Sequence, residues 1–266
     1  METPPASQTE LQPELQTDPS ASSGASSASP IIAATGLIAP VWHTVLVVAF
    51  LLSIAGLSAW KGAASPVGNV GERTRLLNYT VVFVWEWLTV GLIAWGLRLR
   101  GHGIRDLVGG SWPDGGAILS DIGIAALFLI GSDMILGLIR LALGATPPPA
   151  VLNLLPEGPL ESVVWVVIAA TAGFCEETIF RGYLQKQFTR MTRNTAAGVV
   201  LQAVIFGACH GYQGVKYIII IGVYGGLFGI LAVKRSSLRP GMITHFMQDG
   251  LVGLVTRALL KRVQAG

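Results

Sequence analysis

An all-α, polytopic transmembrane helix bundle is the fold class this sequence predicts, and three observations carry the prediction. The 266 residues are 52% hydrophobic and only 12% charged, whereas a soluble domain carries about 25% charged residues. Mean hydropathy is +0.60. Apolar runs long enough to cross a hydrocarbon core, which takes ~20 helical residues, recur along the chain after Leu37. About seven spans are expected, with six or eight if one segment is re-entrant or the polar tail hides an amphipathic helix.

Residues 1–36 are rich in Ser, Ala, Pro, Thr and Gln, lack apolar periodicity and read as a disordered polar tail. They have no basic n-region, and the apolar stretch starts too late for a signal peptide. Residues 37–266 read as one membrane-embedded helical domain. Its first spans run over about Leu37–Trp60, Leu76–Leu97 and Ala117–Leu143. Pro147, Pro148 and Pro149 then force a break, because proline cannot continue a helix. One helical run is expected from Glu161 to about Met191, a turn around Thr192–Asn194, and a helix from Thr195 to His210. Val215–Val233 is apolar, and its Gly222, Gly225, Gly226 and Gly229 allow close helix packing. Gly241–Leu260 is the last span.

The net charge is +3, and the tail holds four acids and no Lys or Arg, which leaves +7 for the rest. No basic run or stripe is visible, so a nucleic-acid partner is not expected. One set of loops carries nine Lys and Arg and the opposite set seven. The positive-inside rule puts the first set in the cytoplasm, and a cell membrane is the expected location. Cys175 and Cys209 form no CxxC pair and demand no disulfide.

Six polar residues interrupt the apolar second half: Glu176, Glu177, Arg181, His210, His245 and Asp249. An ionised side chain at the centre of a membrane helix costs about 2.5–3.5 kcal/mol on insertion scales, which makes each a functional candidate. Glu177 and Arg181, four apart, share a helical face and can pair, while Glu176 points about 100° away. One carboxylate is thus fixed by an ion pair, and the other is free to act as a base. Glu176 and His210 each lie 17 residues from Arg193 at the expected turn, so antiparallel helices would hold both about 25 Å from it. His245 and Asp249, also four apart, share a face.

Glu176-Glu177-xxx-Arg181, Phe206-xxx-His210 and His245-xxx-Asp249, in that order on successive membrane helices, resemble the three motifs of the CPBP family, the CAAX proteases and bacteriocin-processing or Abi-type proteins. The resemblance covers a core of about residues 160–257. It implies an intramembrane endopeptidase in which Glu176 and His210 activate water, while His245 and residue 249 stabilise the tetrahedral oxyanion. Glu177 and Arg181 would hold the architecture, and Phe206 would shape the pocket. The family pattern often has Asn where Asp249 stands, and an ionised Asp would repel an oxyanion. The resemblance leaves metal open. A zinc ion would take Glu176, His210 and His245, but the HExxH spacing of soluble metalloproteases is missing and glutamate-activated water is favoured, with no cofactor assigned.

The expected partners are membrane lipid and a peptide or lipidated-protein substrate. The alternatives are a non-catalytic family member acting as a bacteriocin-immunity or membrane-protein-binding factor, and a small transporter, although no paired repeats are visible. Glu86 is expected to pair with a loop cation or line the cavity, and Asp121, Asp133 and Arg140 to satisfy one another. His43 and His102 are expected at the interface.

Overall fold

The computed structural model describes Met1, residues 36–64 and residues 70–265. The tail reading falls on residues outside the described ones, apart from Met1 and Gly36. Gly36–Gly266 forms one compact unit, and among its described residues there is helix and no strand.

Seven helices dominate: α1 Val41–Ala64, α2 Glu72–Arg98, α3 Gly115–Ala142, α4 Pro159–Thr192, α5 Thr195–Cys209, α6 Val215–Arg235 and α7 Arg239–Ala265. Five of them, α1 to α4 and α6, are long and apolar enough to cross a membrane. The chain is an integral, multi-pass membrane protein. The other two expected spans are helices as well, but each departs from a simple span for a physical reason. Helix α5 has 15 residues and rises about 22 Å, short of a ~30 Å hydrocarbon core. Helix α7 contains His245, Gln248, Asp249 and several basic residues, which lower its hydropathy.

The helix starts follow from local chemistry. Asp114 accepts the Ala117 amide at 2.8 Å and Asn194 accepts the Ala197 amide at 3.1 Å, each capping the helix it precedes. Pro159 occupies the first position of α4, where its missing N–H is not needed. Glu161 Oε2 accepts the Gly158 amide at 2.9 Å and closes that end. Arg193, at φ 55°, makes the sharp turn between α4 and α5.

Hydrogen bonds between loops show how the helices alternate. At one end, Gln187 donates to the Ala39 carbonyl at 2.8 Å, and Lys186 donates to the Leu107 carbonyl at 2.8 Å. At that end too, the Leu238 amide donates to the Val108 carbonyl. At the opposite end, Lys216 reaches the Gly144 carbonyl at 2.8 Å. The main core lies between these ends, where Val90, Ile93 and Leu97 of α2 meet Ile179, Phe180 and Leu184 of α4.

One of the expectations about polar residues needs correction, and another gains partners. His43, near the start of α1, is fully buried within the protein: Nδ1 lies 2.7 Å from the Tyr183 hydroxyl and Nε2 2.9 Å from the Leu92 carbonyl. Gly96 makes the room, since a Cβ there would lie 2.2 Å from the His43 ring. Asp121 does not pair within α3. It accepts from the Trp112 indole at 2.8 Å and faces Arg235 and Arg239 at 3.4 and 3.3 Å.

Helices α5 and α6 meet almost backbone to backbone at Gly207, where a Cβ would stand 2.4 Å from the Ile218 carbonyl oxygen and 3.0 Å from Gly222 Cα. Backbone cannot yield as a side chain would, so Gly207→Ala should destabilise the protein by at least ~1–3 kcal/mol. Gly226→Ala, whose Cβ would meet nothing closer than 3.9 Å, should leave stability unchanged. Thermal unfolding of both variants in detergent, followed by circular dichroism, measures the difference.

Candidate active site

The middle of α4 is not a regular α-helix. Glu177–Gln185 forms a π-helical stretch, and all nine of its residues are buried. A π turn leaves each amide bonded five residues back, and such widened turns gather at functional sites. Sequence periodicity gave no sign of it, because Glu177, Arg181 and Gln185 recur every four residues as they would on an ordinary α-helix. Glu176 stands at its threshold.

The Arg181 guanidinium is 1% exposed. Its Nη1 donates to Glu177 Oε1 at 2.8 Å and its Nη2 to the Gly225 carbonyl at 3.3 Å. The ring of Phe206 lies 4.3 Å and that of Phe228 4.9 Å from its central carbon, so the cation is enclosed by two π faces. Glu177 has a second partner that the sequence did not disclose: its Oε1 lies 3.2 Å from His245 Nδ1. A carboxylate only accepts, so Nδ1 carries the proton in this contact.

His245 Nε2 therefore points to the other side, where Glu176 Oε2 and Asp249 Oδ2 each lie 3.7 Å away. Glu176 Oε2 is buried and has no hydrogen-bond partner among the described residues. Asp249 is the open member, with its side chain 38% exposed. Its backbone carbonyl accepts the Trp165 indole N–H at 2.9 Å, which fastens α7 to α4. The same two helices touch at Gly173, where a Cβ would fall 2.8 Å from the Met242 carbonyl. That close approach sets the distance between Glu176 and His245.

His210 ends α5, and its Nδ1 lies 2.8 Å from the Phe206 carbonyl. A carbonyl only accepts, so Nδ1 donates and Nε2 is free to accept a proton. The His210 ring is 4.8 Å from Phe206 and interacts electrostatically with Asp249. Among the described residues it makes no hydrogen bond or ion pair with Glu176. Thus Glu176, Glu177, Arg181, Phe206, His245 and Asp249 are joined through direct contacts, and His210 borders them across the Phe206 ring. Cys175 is buried in the core and Cys209 partly buried, both as free thiols.

Glu86 belongs to this neighbourhood. It is 4% exposed on α2, its Oε2 has no hydrogen-bond partner among the described residues, and it interacts electrostatically with Glu176, His245 and Asp249. Of the two expectations for Glu86, a loop cation or a place beside the site, the charges it meets among the described residues fit the second. Its place between Trp85 and Trp87 was a visible signal, because an acid in such apolar company needs a buried reason.

Removing one member of a buried ion pair strands the other charge, at about 3–5 kcal/mol. Arg181→Met should therefore unfold more readily than the wild type, and Arg181→Met combined with Glu177→Gln should recover part of the loss. Denaturation of the single and double variants in detergent measures both.

Residues 158–251 match the family model described as type II CAAX prenyl endopeptidase Rce1-like. The matched stretch begins at the Gly158 that precedes α4 and takes in all three polar clusters. Neither the curated proteins nor the solved structures compared with the chain contain a match. Over residues 158–251 the chain is similar to the Rce1-like type II CAAX prenyl endopeptidases.

Proposed function

We propose that the chain is an intramembrane endopeptidase that hydrolyses a peptide bond near the C-terminus of a lipidated protein, or within a membrane-associated peptide or leader. The observation that carries this reading is the meeting of Glu176, His245 and Asp249, inside the Rce1-like region, around a buried carboxylate oxygen with no hydrogen bond among the described residues. A buried base without a hydrogen bond is an acceptor waiting for a donor, and a water molecule supplies one.

In this mechanism Glu176 accepts a proton from water as the oxygen attacks the scissile carbonyl carbon. His210 orients that water through Nε2, the nitrogen left free by the bond from Nδ1 to Phe206. The carbonyl oxygen becomes an oxyanion and receives the N–H of His245 Nε2. The Glu177 contact at Nδ1 stabilises the positive ring that this donation requires. The proton held by Glu176 then passes to the departing nitrogen, leaving a new carboxylate and a free amine. Asp249 acts beside His245, orienting it when ionised and donating to the oxyanion when neutral. Glu177 and Arg181 brace the helices.

A catalytic zinc takes three protein ligands. Among the described residues no three His, Cys, Asp or Glu side chains are placed to hold one ion. Glu176, His210 and His245 do not fit that ligand set as they stand, and no step above runs through a metal.

Reconstituted in liposomes with a farnesylated peptide ending in a CAAX sequence, Glu176→Ala and His210→Ala should each lower kcat by about 10²–10⁴-fold. Thermal midpoints should remain near that of the wild type. Folded variants that cleave at the wild-type rate would rule this mechanism out.

A further inference from the structure

The proposed site is rich in acids and short of donors. Glu86, Glu176 and Asp249 interact with one another's charge, while several nearby N–H groups are already committed. Arg181 spends its Nη groups on Glu177 and Gly225, and Trp165 its indole N–H on the Asp249 carbonyl. An oxyanion forming beside carboxylates needs more than the single N–H of His245.

Tyr212 is placed to supply it. Two residues beyond His210, it lies in the 3₁₀ turn Gly211–Gln213 that follows α5. Its ring centroid is 6.1 Å from that of His210, with the planes tilted by 31°. Its hydroxyl oxygen accepts the Gln213 side-chain amide at 3.0 Å. That bond uses a lone pair and leaves the O–H proton without an acceptor among the described residues. A hydroxyl that already accepts a hydrogen bond is a stronger donor through the polarisation it gains. The phenol also interacts electrostatically with Glu176, Asp249 and Glu86, so it lies within electrostatic reach of the acids of the site. A phenol, ordinarily ionising near pH ~10, keeps its proton at neutral pH.

The turn itself is held firmly. It packs against α1 and α6. The Gln213 amide N–H donates to the His210 carbonyl at 2.9 Å, so His210 and Tyr212 move as one piece. A donor fixed to the same turn as the water-orienting histidine needs little rearrangement when the carbonyl arrives.

We infer that Tyr212 is a further catalytic residue of the site, its hydroxyl donating a hydrogen bond to the scissile carbonyl oxygen of a peptide substrate as that oxygen becomes an anion. Gln213 is the positioning residue that aims it. This rests on the endopeptidase reading above. It adds a donor on the α5 side of the substrate carbonyl, opposite His245 of α7.

The test compares full-length wild type, Tyr212→Phe and Glu176→Ala in liposomes with the farnesylated CAAX peptide. Tyr212→Phe keeps the ring and its packing and deletes only the hydroxyl. Its kcat should fall about 10²–10³-fold, the usual loss for one oxyanion donor, with KM within about twofold of the wild type and an unchanged thermal midpoint. Gln213→Ala should lower kcat less. A phosphinic peptide, whose tetrahedral oxygens mimic the oxyanion, should bind Tyr212→Phe about 10²-fold more weakly than wild type. A dead Glu176→Ala beside a Tyr212→Phe with wild-type kcat would overturn the Tyr212 assignment alone. Glu176→Ala cleaving normally would overturn the endopeptidase reading beneath it. Equal phosphinate affinity of wild type and Tyr212→Phe would also overturn the assignment.

Discussion

The ion pair between Arg181 and Glu177 is the interaction on which the rest of this structure depends. A guanidinium taken out of water loses several kcal/mol of hydration, and only good geometry recovers it. Here the recovery draws on three helices at once. Glu177 of α4 supplies the countercharge, the Gly225 carbonyl of α6 accepts a further bond, and Phe206 of α5 and Phe228 of α6 cover the two faces. The remaining capacity of Glu177 Oε1 goes to His245 of α7. A single buried charge thus fixes the relative positions of the helices that present the candidate catalytic groups.

Small residues make that convergence possible. Gly173 brings α4 against α7, Gly207 brings α5 against α6, and Gly241 lets Glu177 Oε2 come within 3.0 Å of where its Cβ would be. In a membrane the hydrophobic effect does not press helices together, so contact depends on shape and on polar bonds. The polar centre supplies the bonds and the glycines the shape. The result is a polar cluster braced on one side by Arg181, with Glu176 Oε2, which makes no hydrogen bond among the described residues, on the other.

Much of this was legible in the sequence. The spans and the turn at Arg193 follow from apolar run length and from Pro, Gly and Asn at the boundaries, and the helices fall within a few residues of them. The division between Glu177, tied to Arg181, and Glu176, left free, follows from helical spacing and survives the π stretch. What was not legible depends on registers between helices. No linear pattern says that Glu86 of α2 will come to rest within the field of Glu176, or that Gly96 opens a slot for the His43 ring. The π stretch escaped because its polar residues Glu177, Arg181 and Gln185 keep the four-residue spacing of an ordinary α-helix. Tyr212 was invisible because its value lies in a turn too short for periodicity.

The most direct measurement is mass spectrometry of a farnesylated CAAX peptide incubated, in isotopically labelled water, with the purified chain in liposomes. The account predicts one internal cleavage per peptide, with one labelled oxygen in the new carboxyl group, and no product from Glu176→Ala. An intact peptide with the wild type, or the same labelled product from Glu176→Ala, would contradict it.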